Sequence, residues 1–233
     1  MRINKYISES GKASRRGADR LINEGRVTIN GELPVLGTVV EEGDVVRIDG
    51  NPVRVETNKV YLALNKPVGI TSTTDQTIKG NIVDLVNHPL RVFHVGRLDK
   101  DSEGLILMTN DGDIVNEILR AEHRHEKEYI VRVDKPIRQD FLRNMAAGVD
   151  ILDTTTLPAK LTQLGKYEFK IILTQGLNRQ IRRMTSALGY NVVHLQRIRI
   201  MNIHLGDLPS GQWKDLSDKE LNGLFKELNY TPK

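Results

Sequence analysis

The 233-residue chain has no cysteine. Disulfides, thiolate nucleophiles and every zinc site built with sulfur are therefore excluded. Aromatic residues are scarce at 5%, too few for a stacking platform that would read extended single-stranded nucleic acid. No apolar run approaches the length of a membrane span. The segment Met1 to Ser10 breaks its apolar residues with charges every few positions, so no signal-peptide core is expected there. A cytoplasmic location without a membrane partner is the expectation. The six histidines form no HExxH pattern, and His123-Arg124-His125 reads more simply as polar surface than as zinc ligands, so no metal is expected. Internal repeats and low-complexity tracts are also missing.

What is present is globular composition: 39% hydrophobic and 27% charged residues, enough for one ordinary core or a small domain joined to a larger one. The net charge of +4 says little alone; its distribution says more. Met1 to Arg26 holds seven Lys or Arg against three acids, whereas Val27 to Gly50 holds only Arg47 against five. A second basic zone, Phe169 to Gly206, carries Lys170, Arg179, Arg182, Arg183, Arg197 and Arg199 without one acidic residue. Two separated basic zones point to a long anionic ligand.

Ile3, Tyr6 and Ile7 have helical spacing, and a second helix is predicted from Ser14 with Ala18, Leu21 and Ile22 as its apolar stripe. Arg16 and Arg20 then project opposite that stripe, and Arg15 lies at its edge. Asn30-Gly31 and Asp49-Gly50 mark tight turns between short strands. Residues 1–50 are thus expected as a helix-helix-strand unit, 51–59 as a polar linker, and 60–233 as a larger domain. In the latter, strand patterns at VYLALN, LILMTN, KEYIVRV, YEFKIILT and VVHLQRIRI outnumber the helical spacings of DIVNEILRA, RQDFLRNMAA and RQIRRMTSAL. Their irregular alternation predicts an α+β fold around a mixed, largely antiparallel sheet. Ser217 to Glu220 has capping-box form and opens a terminal helix.

The most unusual segment is His94 to Leu105, a charged loop running straight into the apolar strand LILMT. Asp99, Asp101, Glu103 and Gly104 fit the start of a calcium loop, but position twelve is Asn110 and a strand begins where a helix should flank the loop. Asp99, Asp101, Asp111 and Asp113 could hold magnesium in a nuclease. Asp111 and Asp113 are read more simply as a turn and helix start, where acids favour the helix dipole. Asp99 taken alone reads as a turn residue paired with Arg97.

The wider pattern changes that reading. Gly96-Arg97-Leu98-Asp99, Leu64-Asn65-Lys66-Pro67-Val68-Gly69, Lys127-Glu128-Tyr129 and Gly176 to Met184 together resemble the signature segments of RsuA-like bacterial pseudouridine synthases. Ser14-Arg15-Arg16 and Gly25-Arg26-Val27 are similar to the RNA-binding domain named after ribosomal protein S4. GRLDKDS, HEKEY and QGLNRQIRRM look most like the subgroup acting on large-subunit (23S) ribosomal RNA.

The resemblance implies an S4-like domain followed by a synthase domain, and isomerisation of uridine in ribosomal RNA or a subunit-assembly intermediate, by a monomer needing no cofactor. It makes Asp99 the catalytic carboxylate, as nucleophile on the ribose or as the group that deprotonates it. Arg182, at the edge of the stripe formed by Ile181, Met184 and Leu188, becomes the cation that keeps Asp99 ionised. Tyr129 would stack on the uracil, with its hydroxyl available for proton transfer. Arg97 would fill the gap left in the RNA stack by a flipped base, its plainer alternative being a salt bridge to Asp101 or Glu103. Lys66 is expected at the mouth of the site, and Arg15, Arg16, Arg20 and Arg179 on RNA phosphates. A non-enzymatic RNA-binding assembly factor, with Asp99 structural, is the rival reading.

Overall fold

The computed structural model describes residues 1–120 and 123–232. The chain folds as two units, one of residues 1–60 with the short segments 88–92 and 110–112, the other of the remainder. In the first, α1 (Ile3–Glu9) and α2 (Arg15–Asn23) precede a three-stranded antiparallel sheet of β1 (Val27–Ile29), β2 (Val46–Ile48) and β3 (Asn51–Pro52). Ser14 caps α2, its Oγ accepting the Gly17 N–H at 3.0 Å in place of a missing helical acceptor. Ile3, Ile7, Ala18, Ile22, Val27 and Val46 form the core. Arg15, Arg16 and Arg20 are all exposed. The segment expected as a linker begins inside this fold. The left-handed Asp49-Gly50 turn folds the chain back so that Asn51–Pro52 pair with β2 and Val53 is buried.

Beyond it come β4 (Tyr61–Lys66), α3 (Ile82–Val86), β5 (Phe93–Val95), β6 (Glu103–Thr109), α4 (Gly112–Leu119), β7 (Lys127–Val133) and α5 (Gln139–Ala147). They are followed by β8 (Asp150–Ile151), β9 (Thr154–Thr155), β10 (Lys160–Gln163), β11 (Glu168–Leu173), α6 (Gln180–Ala187), β12 (Val192–Ile200), β13 (Ile203–His204), β14 (Trp213–Asp215) and α7 (Asp218–Leu228). Each long strand and helix stands where its periodicity predicts, although the helical spacing extended to Ala121 runs past Leu119 and Ala121 lies outside the described residues. The pattern had not shown α3, the β8–β9 hairpin or β14.

The main sheet runs β10-β11-β7-β12-β6-β4-β14, with β13 on β12 and β5 on β6. Its strands pair antiparallel except β12 with β6, where Gln196 and Arg197 face Glu103 and Gly104 in parallel. This is the mixed, largely antiparallel α+β architecture expected. One apolar cluster joins β7, β11 and β12 to α5 and α6, with Phe141 edge-on to Phe169 at 5.5 Å. Another joins β4, β6 and the end of β12 to α4 and α7. The α7 start is a complete capping box between Ser217 and Glu220.

Candidate active site

A cavity of about 630 Å³, within the size range of small-ligand sites, opens where these two clusters meet. Leu98, Tyr129 and Leu195 line it from the first cluster, Leu107 and Ile200 from the second. The charged loop between β5 and β6 forms one side, and the segment from Gln175 into α6 another.

The loop is held at nearly every residue. Gly96 takes φ +72°, a left-handed turn that suits glycine. Leu98 is buried, its N–H donating to Ser72 Oγ (3.2 Å) while that hydroxyl donates to the Leu98 carbonyl (2.7 Å). The Asp99 carbonyl accepts the Ser102 N–H at 3.0 Å, and the Lys100 carbonyl accepts the Gly69 N–H at 2.7 Å. Gly104 lets β6 approach β12 so closely that a Cβ there would lie 2.2 Å from the Arg197 carbonyl oxygen. The backbone is immobilised and the Asp99 carboxylate, 34% exposed, reaches the cavity. A side chain fixed in this way needs little reorganisation to react.

The cations around Asp99 are arranged differently from the expected Arg182–Asp99 pair. Arg179 lies nearest, with Nη1 3.6 Å from the Asp99 carboxylate, and it grips Asp101 with two hydrogen bonds of 3.0 and 2.7 Å. Those bonds hold the Asp101 carboxyl below its ordinary range and raise the Arg179 guanidinium. Arg182 instead donates from Nη2 to the Asp101 carbonyl (2.8 Å) and Ser102 Oγ (3.0 Å), its Nε 3.5 Å from the Asp101 carboxylate. Burial draws Arg182 downward, against the pull of Asp101. The cause is local: Arg179 precedes α6 in the left-handed region (φ 49°, ψ 36°), whereas Arg182 sits within the first turn and reaches backbone. Gln180, buried beneath them, accepts the Leu177 N–H at 3.0 Å and donates to Gln175 at 3.2 Å, fixing this segment.

Tyr129, 9% exposed, lines the cavity from β7, and its hydroxyl has no hydrogen-bond partner among the described residues. Arg97 is exposed at the rim. The salt bridge weighed for it is not formed, because Asp101 is taken by Arg179 and Glu103 by His194 Nε2 at 2.7 Å. Asp99, Tyr129, Arg182, Arg97 and Arg179 thus share one cavity, while Arg15, Arg16 and Arg20 belong to the first unit.

Lys66 differs from expectation. It is fully buried in β4, with Nζ donating to the carbonyls of Pro67 (2.8 Å) and Ile70 (2.9 Å), and takes no part in lining the cavity. Burial pushes its ammonium down to about 8, against the pull of Asp101, Asp99 and Glu103. It clamps the turn whose Gly69 N–H holds Lys100. Lys127 and Arg197 also line the cavity, and sequence reasoning had not singled them out for it.

Residues 60–187 match the family model described as RNA pseudouridylate synthase, and residues 1–46 match the S4 domain. The chain is 55% identical to the dual-specificity RNA pseudouridine synthase RluF of Escherichia coli (strain K12), over 97% of this chain and 79% of that one. An uncharacterized RNA pseudouridine synthase of Aquifex aeolicus is 40% identical over 100% of this chain and 98% of its own length. A crystal structure of a pseudouridylate synthase superposes with a TM-score of 0.72 at 30% identity, covering 96% of this chain and 99% of that one.

Proposed function

The chain belongs to the RNA pseudouridine synthase family, as an isomerase with an S4 domain before the synthase fold, and from that premise we propose that it modifies ribosomal RNA of the large subunit with Asp99 as its catalytic carboxylate. The observation that carries the Asp99 assignment is the loop from Gly96 to Gly104: its backbone is tied down on both sides, and the Asp99 carboxylate is delivered into a cavity also lined by Tyr129, Arg179 and Arg182. Membership of an enzyme family sets aside the purely RNA-binding reading.

A stacked uridine must leave its helix or loop to reach this cavity, at a cost of a few kcal/mol. Arg97 would fill the vacancy in the RNA, a reading supported by its exposure beside the cavity without a carboxylate partner among the described residues. Tyr129 offers a ring face to the flipped base. Asp99 then either attacks C1′ of the ribose or removes the C2′ proton, with the Arg179 guanidinium 3.6 Å away. The isomerisation transfers no group and changes no oxidation state, so these residues suffice without a cofactor. Arg15, Arg16 and Arg20 supply sequence-independent attraction to phosphates, in a cytoplasmic monomer. The dual specificity named for the relatives adds the expectation of a second RNA target.

Tritium release from ribosomal transcripts labelled at uridine C5, in chelator, tests this. Wild type should release tritium and Asp99→Asn should not, with RNA affinity unchanged. Equal release by both proteins would remove Asp99 from the chemistry.

A further inference from the structure

Two cations that line the cavity have no carboxylate partner among the described residues. Lys127 opens β7 and Tyr129 follows two residues later, so both side chains leave the same face of the sheet. On the neighbouring strand Arg197 lies directly opposite Tyr129 and shares that face. All three line the cavity. The acids beside Lys127 point the other way. Glu128 is taken by Arg199 (2.7 Å) and Lys170 (3.0 Å), and Glu126 by Arg199 (3.0 Å) and Lys160 (3.3 Å). Asp101 and Glu103 are likewise engaged, by Arg179 and His194.

Arg197, 3% exposed, donates through Nε to the Leu105 carbonyl (2.7 Å) and through Nη1 to the Arg97 carbonyl (3.4 Å), while Nη2 is buried without a partner among the described residues. The Lys127 ammonium has neither hydrogen bond nor ion pair among the described residues. Burial and the neighbouring Arg197 charge hold its ammonium below the ordinary value. A buried guanidinium donor and an ammonium left unpaired are each destabilising until a ligand supplies the acceptors.

Resting on the synthase reading above, we infer that Lys127 and Arg197 form a cationic floor that grips the flipped uracil by its carbonyl oxygens and carries its negative charge while the base is detached. The C1′–N1 bond breaks with its electron pair passing to the ring, where the charge spreads over O2 and O4. After the ring turns, C5 of that anion forms the new bond to C1′ as the Asp99 carboxylate leaves C1′ or, in the other route, returns the proton to C2′. The proton on C5 then departs and N1 regains one, so the product is an isomer of the substrate. Lys127 and Arg197 act between these two bond changes, where charge on the base is greatest. The occupant is a flat heterocycle and not a phosphate because Leu173, Leu195 and Ile200 wall the floor, whereas Arg97 is exposed at the rim.

The test compares wild type, Lys127→Met and Lys127→Arg in single turnovers on ribosomal transcripts made with uridine or with 5-fluorouridine. The product followed is the C-glycoside after nuclease digestion. Fluorine makes the base a better leaving anion and lessens the need for a cationic floor. Lys127→Met should lose about 100-fold on uridine RNA and less than about 10-fold on fluorouridine RNA, with binding changed less than about two-fold. Lys127→Arg, which keeps the charge, should recover most of the loss. Equal losses on both RNAs, or none, would overturn the proposal. Lys127→Gln gives the same comparison should the methionine variant fail to fold. Wild type that converts neither RNA would instead refute the ribosomal-RNA synthase reading itself, and this inference with it.

Discussion

Replacing Lys66 by methionine should change how the stability of the protein depends on pH. The ammonium is fully buried, and burial pushes its pKa from 10.5 to about 8 in the folded chain. Between those values the unfolded chain binds more protons than the folded one, so wild-type stability rises with pH through this window. Lys66→Met has no such group and lacks this rise. Integrating the two titrations, wild type should gain about 2.5 kcal/mol relative to the variant between pH 7 and pH 10. The variant also leaves the Pro67 and Ile70 carbonyls without their donor, which costs about 1–3 kcal/mol each but shifts its curve equally at every pH. Urea unfolding of both proteins at pH 7, 8, 9 and 10 gives the difference directly. A constant gap would refute the reasoning, because it would mean that Lys66 titrates alike in the folded and unfolded chains. A wild type that lost stability relative to the variant as pH rose would refute the sign.

Gly104→Ala should destabilise by more than about 3 kcal/mol in thermal unfolding, since its Cβ would meet the Arg197 carbonyl at 2.2 Å and φ is +106°. Gly25→Ala, also at positive φ but with nothing within 4 Å, should lose only about 1 kcal/mol; similar losses at the two positions would count against the steric argument. Ser217→Ala removes one half of the α7 capping box and should cost about 1 kcal/mol in urea unfolding. Replacing Arg15, Arg16 and Arg20 together by alanine should weaken RNA binding and reduce the slope of log K against log salt by about 2 to 3. An unchanged slope would show that α2 does not meet phosphates.

The elements that were legible in the sequence are those specified locally. Ser14 and Ser217 announce helix starts because capping depends on residues three positions away. KEYIVRV and VVHLQRIRI match β7 and β12 residue for residue, because the buried pattern of a long strand is written along it. Motif resemblance brought Asp99, Tyr129, Arg179 and Arg182 to one cavity, but the pairing within it depends on backbone that spacing does not reveal. The left-handed Arg179 takes the position expected of Arg182. Lys66 was misjudged because lysine is seldom buried, and nothing near it in sequence shows that Pro67 and Ile70 turn their carbonyls toward it. Lys127 and Arg197 are 70 residues apart, and only the register of β7 against β12 places them on one face.

The place of β12 in the sheet bears on how the protein is made. Among the long strands it is the last in sequence, yet it lies between β7 and β6 and joins what would otherwise be two separate sheets. A nascent chain can pair β4 with β6, and β7 with β11, as each emerges, but the wall shared by Gly104 and Arg197 cannot close until residue 197 has left the ribosome. The cavity is therefore completed late in synthesis, after the helices and strands of the first unit have emerged.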